Sequence, residues 1–197
     1  MKRNLIAAVA ACSFAVPAIA QTGNNHIDGF FVLNSEIDFE PGGDDDGNGF
    51  GLKGAFQVHK SIFLTGEYQA VEYDDSNADL DQIRFGAAFG PGAGAASEGI
   101  YGRAQYIDLD LDGADDQDGF GGHVGYALPV SQQFHLHGEA GYVLLDDLDG
   151  PELLVGATYK FTPNIGAFAD YRMSFLDVDG AGDLDLNDLR VGARFYF

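Results

Sequence analysis

From residue 27 onward, apolar and polar side chains alternate along the chain with a period of two. The last segment shows this most clearly. Its apolar face holds Leu189, Val191, Ala193, Phe195 and Phe197, and its other face holds Asp188, Arg190, Gly192, Arg194 and Tyr196. Such alternation is typical of a β-strand whose two faces meet different surroundings. The segment is therefore predicted to be a strand.

The same alternation predicts nine further strands. The ten strands are placed at residues 27–38, 49–59, 61–73, 81–89, 99–109, 118–128, 133–144, 152–161, 164–176 and 188–197. Each has about the ~10 residues that a tilted strand needs to cross a bilayer. No apolar run beyond residue 20 reaches the ~20 residues of a membrane helix. The pattern predicts an all-β fold, a transmembrane up-and-down antiparallel β-barrel of about ten strands.

The connections between these strands alternate in length and charge. Three are short, "VHKSI", "PVSQQF" and "KFTPNI", and a fourth is rich in Gly and Ala, "GPGAGAASEG". Five longer ones hold most of the aspartates: "PGGDDDGNG", "YDDSNADLD", "LDLDGADDQDG", "LDDLDGP" and "DVDGAGDLDLND". Because alternate connections of an up-and-down barrel lie at opposite ends, all five acidic segments are predicted to be loops on one rim.

The polar face of the strands is predicted to line the lumen. A membrane barrel points its apolar face outward, whereas a soluble barrel points it inward. The polar face combines glycines with sparse charges of both signs, which must pair if they are buried: Glu36, Lys53, Glu67, Arg84, Arg103, Glu139, Lys160, Asp170, Arg172, Arg190 and Arg194. The apolar face carries aromatic residues near strand ends, as interfacial girdles do. Phe30, Phe63 and Phe168 are predicted to narrow the lumen.

The first twenty residues are predicted to be a signal peptide. Lys2 and Arg3 precede an apolar run, and Ala18-Ile19-Ala20 is a small-residue cleavage site that would leave residues 21–197 as the mature barrel domain. A lipoprotein site at Cys12 is the alternative, although the apolar run before it is short. Cleavage removes the only cysteine, which excludes a disulfide framework and a catalytic thiol.

The chain is strongly acidic, with 10 basic and 31 acidic residues. Without Lys2 and Arg3 the mature part has 8 basic residues against 31 acidic ones, a net charge of −23. Nucleic-acid binding requires the opposite charge, so nucleic acid is excluded as a partner.

Asp108, Asp110 and Asp112, followed by Gly113, resemble the first half of a calcium-binding loop. An EF-hand requires a bidentate Glu at its twelfth position, where Gly119 stands, and a helix on each side. A solvated anionic surface is therefore the favoured interpretation of this segment, with weak Ca²⁺ or Mg²⁺ binding as the alternative. No other cofactor is expected. His135, His137 and Glu139 could also bind a metal, but a hydrogen-bonded network in the lumen is favoured.

The stretches "GFGLKGAFQV", "DLDQIRFGAAFG" and "LRVGARFYF", with the terminal aromatic Phe197, resemble small outer-membrane β-barrels of Gram-negative bacteria, in particular a ten-stranded family of xanthomonad-type bacteria. The resemblance implies location in the outer membrane, contact with its lipid and lipopolysaccharide, and insertion by the outer-membrane assembly machinery. Barrel enzymes of this kind use Asp with His, or Ser with His, and the acidic segments contain no His.

The sequence thus predicts a non-enzymatic outer-membrane barrel with acidic extracellular loops, contributing to envelope integrity or surface interaction. Divalent cations would relieve repulsion between its aspartates and anionic lipopolysaccharide. Two alternatives remain open, a secreted soluble acidic calcium-binding β-protein and a narrow ion-permeable barrel. A wide pore is disfavoured, since barrels near eight strands are filled by their own side chains.

Overall fold

The computed structural model describes residues 25–40, 42–76, 78–93, 98–178, 180 and 182–197. In this part of the chain the ten strands are β1 His26–Glu40, β2 Gly43–His59, β3 Ile62–Tyr73, β4 Asp79–Phe89, β5 Gly99–Leu111, β6 Gln117–Pro129, β7 Phe134–Leu145, β8 Leu148–Lys160, β9 Ile165–Val178 and β10 Gly182–Tyr196. Every strand pairs antiparallel with its sequence neighbours, and β10 pairs with β1 to close the barrel. The predicted ten-stranded antiparallel barrel is confirmed.

One end of the barrel, the acidic end, carries the β1–β2, β3–β4, β5–β6, β7–β8 and β9–β10 connections. The other end, the turn end, carries the remaining connections, including a short 3₁₀ helix at Pro91–Ala93. The first residue of β1 and the last residue of β10 also lie at this end. All five acidic segments therefore lie at one end, as predicted. Of the described residues, none belongs to a helix long and apolar enough to cross a membrane. The predicted signal peptide, residues 1–20, lies outside the described residues.

The prediction that the acidic segments are loops is wrong for most of their residues, which belong to the ends of strands. Strand β2 begins at Gly43 instead of residue 49, and β10 begins at Gly182 instead of residue 188. Strands β7 and β8 are joined by only Asp146 and Asp147. Aspartate has a low β-propensity, but in β5 and β10 it alternates with Leu, and a Leu that points into a closed barrel is buried. That burial offsets the unfavourable propensity.

Strand β5 shows that the polarity of the two faces reverses along the barrel. At the turn end its inward side chains are Tyr101, Arg103 and Gln105 and its outward ones include Ile100 and Tyr106. Towards the acidic end the inward side chains become Ile107 and Leu109, and the outward ones become Asp108 and Asp110. The apolar outer band thus ends at Tyr106, and the strand beyond it has the polarity of a water-soluble barrel.

The prediction that Glu36 lines the lumen is wrong. The pairing of β1 with β10 shifts by one residue between Val32 and Asn34, which marks a β-bulge. An extra residue reverses which side chains point inward. Ser35 and Ile37 are consequently buried, while Glu36 is only half-buried and points outward.

Candidate functional site

The lumen of the turn-end half is filled by paired charges. Arg84 donates two hydrogen bonds to the carboxylate of Glu152, from Nη1 to Oε1 (2.7 Å) and from Nη2 to Oε2 (2.6 Å). Glu152 also accepts a bond from Ser174 Oγ (3.0 Å), and His123 Nε2 lies 2.9 Å from Oε1. A buried ion pair is tolerated only with such complete hydrogen bonding.

A second group of charges joins four strands across the barrel. Glu67 Oε1 accepts hydrogen bonds from Arg172 Nη2 (2.6 Å) and Arg190 Nη1 (2.8 Å). Asp170 accepts one bond on each oxygen, from Arg190 Nε (2.5 Å) and from Lys53 Nζ (2.6 Å). These side chains come from β2, β3, β9 and β10, so the network cross-links opposite walls of the barrel.

Two more ion pairs complete the network. Arg194 donates to both oxygens of Asp28, at 2.8 and 2.6 Å. Arg103 donates to Glu139 Oε2, and Tyr101 OH donates to Glu139 Oε1 (2.8 Å). The prediction of paired lumen charges is confirmed for Lys53, Glu67, Arg84, Arg103, Glu139, Asp170, Arg172, Arg190 and Arg194. The sequence did not identify their partners Asp28 and Glu152 as lumen charges.

Glycines make room for the large lumen side chains. A Cβ at Gly125 would lie 2.4 Å from the Tyr101 ring, and one at Gly141 would lie 2.2 Å from the His123 ring. Any larger residue at either position would collide with a ring. The glycines of the polar face are therefore part of the network's packing.

The acidic-end half of the lumen is filled by a different set of side chains, which we call the apolar plug. Its members are buried and come from every strand except β2 and β6: Phe30, Val32, Ile37, Val71, Tyr73, Leu80, Ile107, Leu109, Val143, Leu148, Phe168, Leu176, Leu184 and Leu186. Phe30 and Phe168 are at its base, as predicted for inward aromatic residues, and Phe63 packs separately at the turn end with Ala55 and Ala88. Burial of these side chains holds the acidic end closed.

Below the plug is a cavity of about 160 Å³, which we call the lumen cavity. It reaches the turn end, because its wall includes Gly92 and Ala93 of the 3₁₀ helix and His135 at the start of β7. Its remaining polar lining comes from the charge network and from Thr65, Gln105, His137 and Thr158. The predicted lumen position of His135, His137 and Glu139 is confirmed.

The outer surface of the acidic end is covered by carboxylates, which we call the acidic rim. Among the described acidic residues, those that lie elsewhere are Glu98 at the turn end and six in the lumen, Asp28, Glu67, Glu139, Glu152, Asp170 and Asp188. All eight Lys and Arg residues beyond Arg3 lie in the lumen or at the turn end. Within the part of the chain that the structure describes, no Lys or Arg side chain is therefore available to neutralise the rim.

Two carboxyl groups of the acidic rim, beyond the apolar band, have pKa values that burial and neighbouring carboxylates raise. Partial burial, with Asp116 and Asp81 nearby, raises the pKa of Asp110 above its ordinary value. Partial burial, together with Asp38 and Asp183, likewise raises the pKa of Asp185. Both groups would be stabilised by a proton or a cation.

The structure separates the three aspartates of the predicted metal loop. Asp108 and Asp110 lie on the outward face of β5, opposite Asp118 and Asp81 respectively. Asp112 follows the strand, and its backbone N–H bonds to the carbonyl of Asp79 (2.9 Å). Within the described residues, no three His, Cys, Asp or Glu side chains are grouped to hold a metal ion. Weak binding by these aspartates stays a prediction.

The comparisons with known proteins agree with this architecture. A family model described as outer membrane protein beta-barrel domain matches residues 5–161. An outer membrane channel from Pseudomonas putida F1 is 10% identical over 90% of this chain and 97% of its own, with a TM-score of 0.51. Neisserial surface protein A is 13% identical over 88% of this chain and 97% of its own, with a TM-score of 0.49. The comparison with curated protein sequences finds no match.

Proposed function

Because the chain belongs to the family of outer membrane protein β-barrel domains, we propose that it is a sealed, non-enzymatic barrel that presents its acidic rim at the cell surface. There it contributes to envelope integrity or to surface interaction. Membership of the family confirms the resemblance to small outer-membrane barrels. The narrower resemblance to a xanthomonad-type family stays a prediction.

The observation that carries the proposal is the apolar plug beneath an acidic rim without cations. Among the plug residues, Ile107 is 1% exposed, and Leu109 on the same strand is 5% exposed. A conducting lumen would wet these side chains at a cost of roughly 25 cal/mol for each Å² of apolar surface exposed. The plug therefore supports a sealed barrel over a narrow ion-permeable one.

The acidic rim supports a role that depends on divalent cations. Outer-leaflet lipopolysaccharide is anionic, so its head groups and the rim repel each other across a few Å. Mg²⁺ or Ca²⁺ shared between rim carboxylates and lipid phosphates would remove that repulsion, since both ions prefer oxygen ligands. The rim carboxylates would then be linked to the lipid phosphates around the barrel through shared cations.

The sealed lumen is tested by recording from single barrels reconstituted in planar bilayers. We expect no discrete conductance steps with the wild-type protein. Regular steps that scale with the number of inserted barrels would contradict the sealed lumen.

The role of the acidic rim is tested by deleting the gene in the native host and measuring sensitivity to a chelator of divalent cations. We expect the deletion to raise sensitivity and the wild-type gene to restore it. A variant in which the six aspartates of the β5–β6 hairpin become Asn (Asp108, Asp110, Asp112, Asp115, Asp116 and Asp118) should fail to restore it. The matched control is Glu98→Gln at the turn end. Full restoration by the rim variant would contradict the proposal.

A further inference from the structure

A groove lies on the outer wall of β1, β2, β3 and β4, where the apolar band meets the acidic rim. We call it the boundary groove. It lies over Ala70, and its walls include the side chains of Phe50 and Tyr68. Its volume is about 450 Å³, within the ~300 to 1,000 Å³ of sites that bind small molecules. The groove is therefore large enough for part of a lipid.

The small side chain of Ala70 is what leaves this space open. Ala70 lies outward on β3 directly opposite Asp81 on β4, and Asp81 Oδ1 accepts a hydrogen bond from Tyr68 OH (2.7 Å). The β5–β6 and β7–β8 hairpins have the same kind of Tyr–Asp contact. At the position equivalent to Ala70, however, they have Asp108 and Leu144, which are larger.

The edge of the boundary groove nearer the acidic end is formed by carboxylates. Glu72 on β3 and Asp79 on β4 are directly opposite each other, and Asp81 is two residues closer to the turn end. All three side chains are exposed. Among the described residues of the lining, none is Lys or Arg. Because like charges directly opposite each other on a sheet are destabilising, this edge favours a cationic occupant.

The aromatic walls favour an organic cation over a metal ion. Phe31 and Phe50 are paired across β1 and β2, and they are 66% and 59% exposed. An ammonium group is attracted to the face of an aromatic ring as well as to a carboxylate. Calcium and magnesium ions instead take oxygen ligands, so the rings would offer them no ligand. The rings and carboxylates together therefore favour an ammonium group.

Apolar surface continues from the boundary groove towards the turn end. Leu52 on β2 and Ile83 on β4 lie directly opposite Tyr68, on either side of it, and both are about half exposed. An acyl chain can lie along this surface while its head group stays at the carboxylate edge. The order of the two surfaces, apolar below and acidic above, matches the polarity of a membrane amphiphile with a cationic head.

We propose that the boundary groove binds a membrane lipid whose head group carries an ammonium. The ammonium lies between the carboxylates of Glu72, Asp79 and Asp81 and the rings of Phe50 and Tyr68. The first methylene groups of the lipid pack on Ala70. Binding here depends neither on a sealed lumen nor on divalent cations, so it is separate from the cation-bridged contact with lipopolysaccharide.

The proposal is tested by NMR titration of the protein refolded into dodecyl maltoside micelles, with a chelator present so that divalent cations do not contribute. The probe is dodecylammonium chloride, and the readout is the amide shifts of residues 68–72. We expect these shifts to saturate as the mole fraction of the probe rises. Dodecanol tests the chain alone and methylammonium chloride tests the charge alone, and neither should saturate. Linear shifts with dodecylammonium, or equal saturation by either comparison compound, would overturn the proposal.

Two variants assign the binding to the boundary groove. Ala70→Leu fills its floor, and the double change Glu72→Gln with Asp79→Asn removes two charges from its edge. Each should weaken binding roughly tenfold, the order expected when apolar space or exposed charge contacts are lost.

The matched controls repeat both changes elsewhere on the outer wall. Ala104→Leu places a leucine on the outward face of β5, and Asp146→Asn with Asp147→Asn removes two charges from the β7–β8 turn. Both controls should bind as the wild type does. Heat-modifiable migration on a gel identifies the folded variants. Wild-type affinity in either folded groove variant, or an equal loss in its control, would overturn the proposal.

Discussion

The hydroxyl of Tyr106 donates a hydrogen bond to Oδ2 of Asp118 (3.1 Å), and this contact marks the level at which the outer surface changes from apolar to acidic. Tyr106 on β5 lies opposite Phe120 on β6, and Asp118 is two residues closer to the acidic end. The same diagonal contact occurs on two neighbouring hairpins, between Tyr68 and Asp81 (2.7 Å) and between Tyr142 and Asp149.

Each of these three contacts joins an amphipathic ring to a solvated carboxylate. Tyrosine is enriched at membrane interfaces because its ring is apolar and its hydroxyl is polar. The three Tyr–Asp contacts thus lie where the apolar outer band meets the acidic rim. The alternation along the strands predicted aromatic residues near the strand ends, but it gave no sign of the Asp partners of Tyr106 and Tyr142.

Removing one of these hydroxyls should have a small, measurable effect. Tyr106→Phe loses one hydrogen bond to a charged acceptor and should lower the free energy of unfolding more than the same change at a tyrosine without such a contact. Urea titration of the protein refolded into lipid vesicles measures this. The matched control is Tyr126→Phe, an exposed ring on β6 near the turn end. An equal loss in both variants would show that the contact with Asp118 contributes nothing.

A charge on the lipid-facing surface should be costly. Val191 lies in the middle of the outward apolar face of β10, so Val191→Arg should cost ~2 to 4 kcal/mol and impair assembly. Asn187→Arg tests the same substitution on the same face of the same strand, but within the acidic end, and should be tolerated. Asp116→Asn should be nearly silent. Folded fractions on a gel measure all three, and equal tolerance of Val191→Arg and Asn187→Arg would contradict the assigned membrane boundary.

The buried pair of Arg84 and Glu152 should be sensitive to the loss of one charge. Glu152→Gln leaves Arg84 without a counter-charge in the lumen, which costs about 3 to 5 kcal/mol. Glu98→Gln removes the same charge from an exposed connection at the turn end and should change the free energy of unfolding little. Urea unfolding in vesicles compares them. A loss below 1 kcal/mol in Glu152→Gln would contradict the structural role of the network.

The orientation of the barrel can be tested on intact cells. An even number of strands returns the chain to its starting side, so both mature termini should face the periplasm. An epitope tag inserted at Asp115, in the β5–β6 turn, should be labelled by an antibody added outside. A tag at Lys60, in the β2–β3 turn, should be labelled only after permeabilisation. The reverse pattern would overturn the assigned topology.

Divalent cations should bind the acidic rim weakly. The predicted affinity is on the order of 10⁻⁴ to 10⁻³ M, as at exposed sites of low rigidity. Calcium should therefore raise the melting temperature only slightly and without saturation in the micromolar range. Calorimetric titration of the detergent-solubilised protein measures the affinity.

The combined substitutions Asp110→Asn and Asp112→Asn test the β5–β6 hairpin, with Asp74→Asn and Asp75→Asn as the matched control on another hairpin. A stoichiometric micromolar site that only the first pair abolishes would show that Asp110 and Asp112 belong to a specific calcium loop. Equal small effects of both pairs are expected for a diffuse anionic surface.

Sequence alone determined the barrel, the number of strands and the end at which the aspartates gather. These features depend on local alternation and on the order of connections, and both can be read along the chain. For β10, alternation also determined the inward positions of Asp188, Arg190 and Arg194. The strand ends were misjudged because aspartate-rich segments such as "IDLDL" and "GDLDLN" were interpreted as parts of loops, although they keep the period of two of a strand.

The tertiary structure decided which inward side chains meet. Asp28 and Arg194 are 166 residues apart in the sequence, and they pair only because β1 closes the barrel against β10. The bulge in β1 turned Glu36 outward, although the alternation before it predicted the opposite. The apolar plug likewise exists only in the closed barrel, because leucines from separate strands become a core when the wall brings them within contact of one another. Local periodicity determines on which face of its strand a side chain lies. Strand register, bulges and barrel diameter determine which other side chain it contacts there.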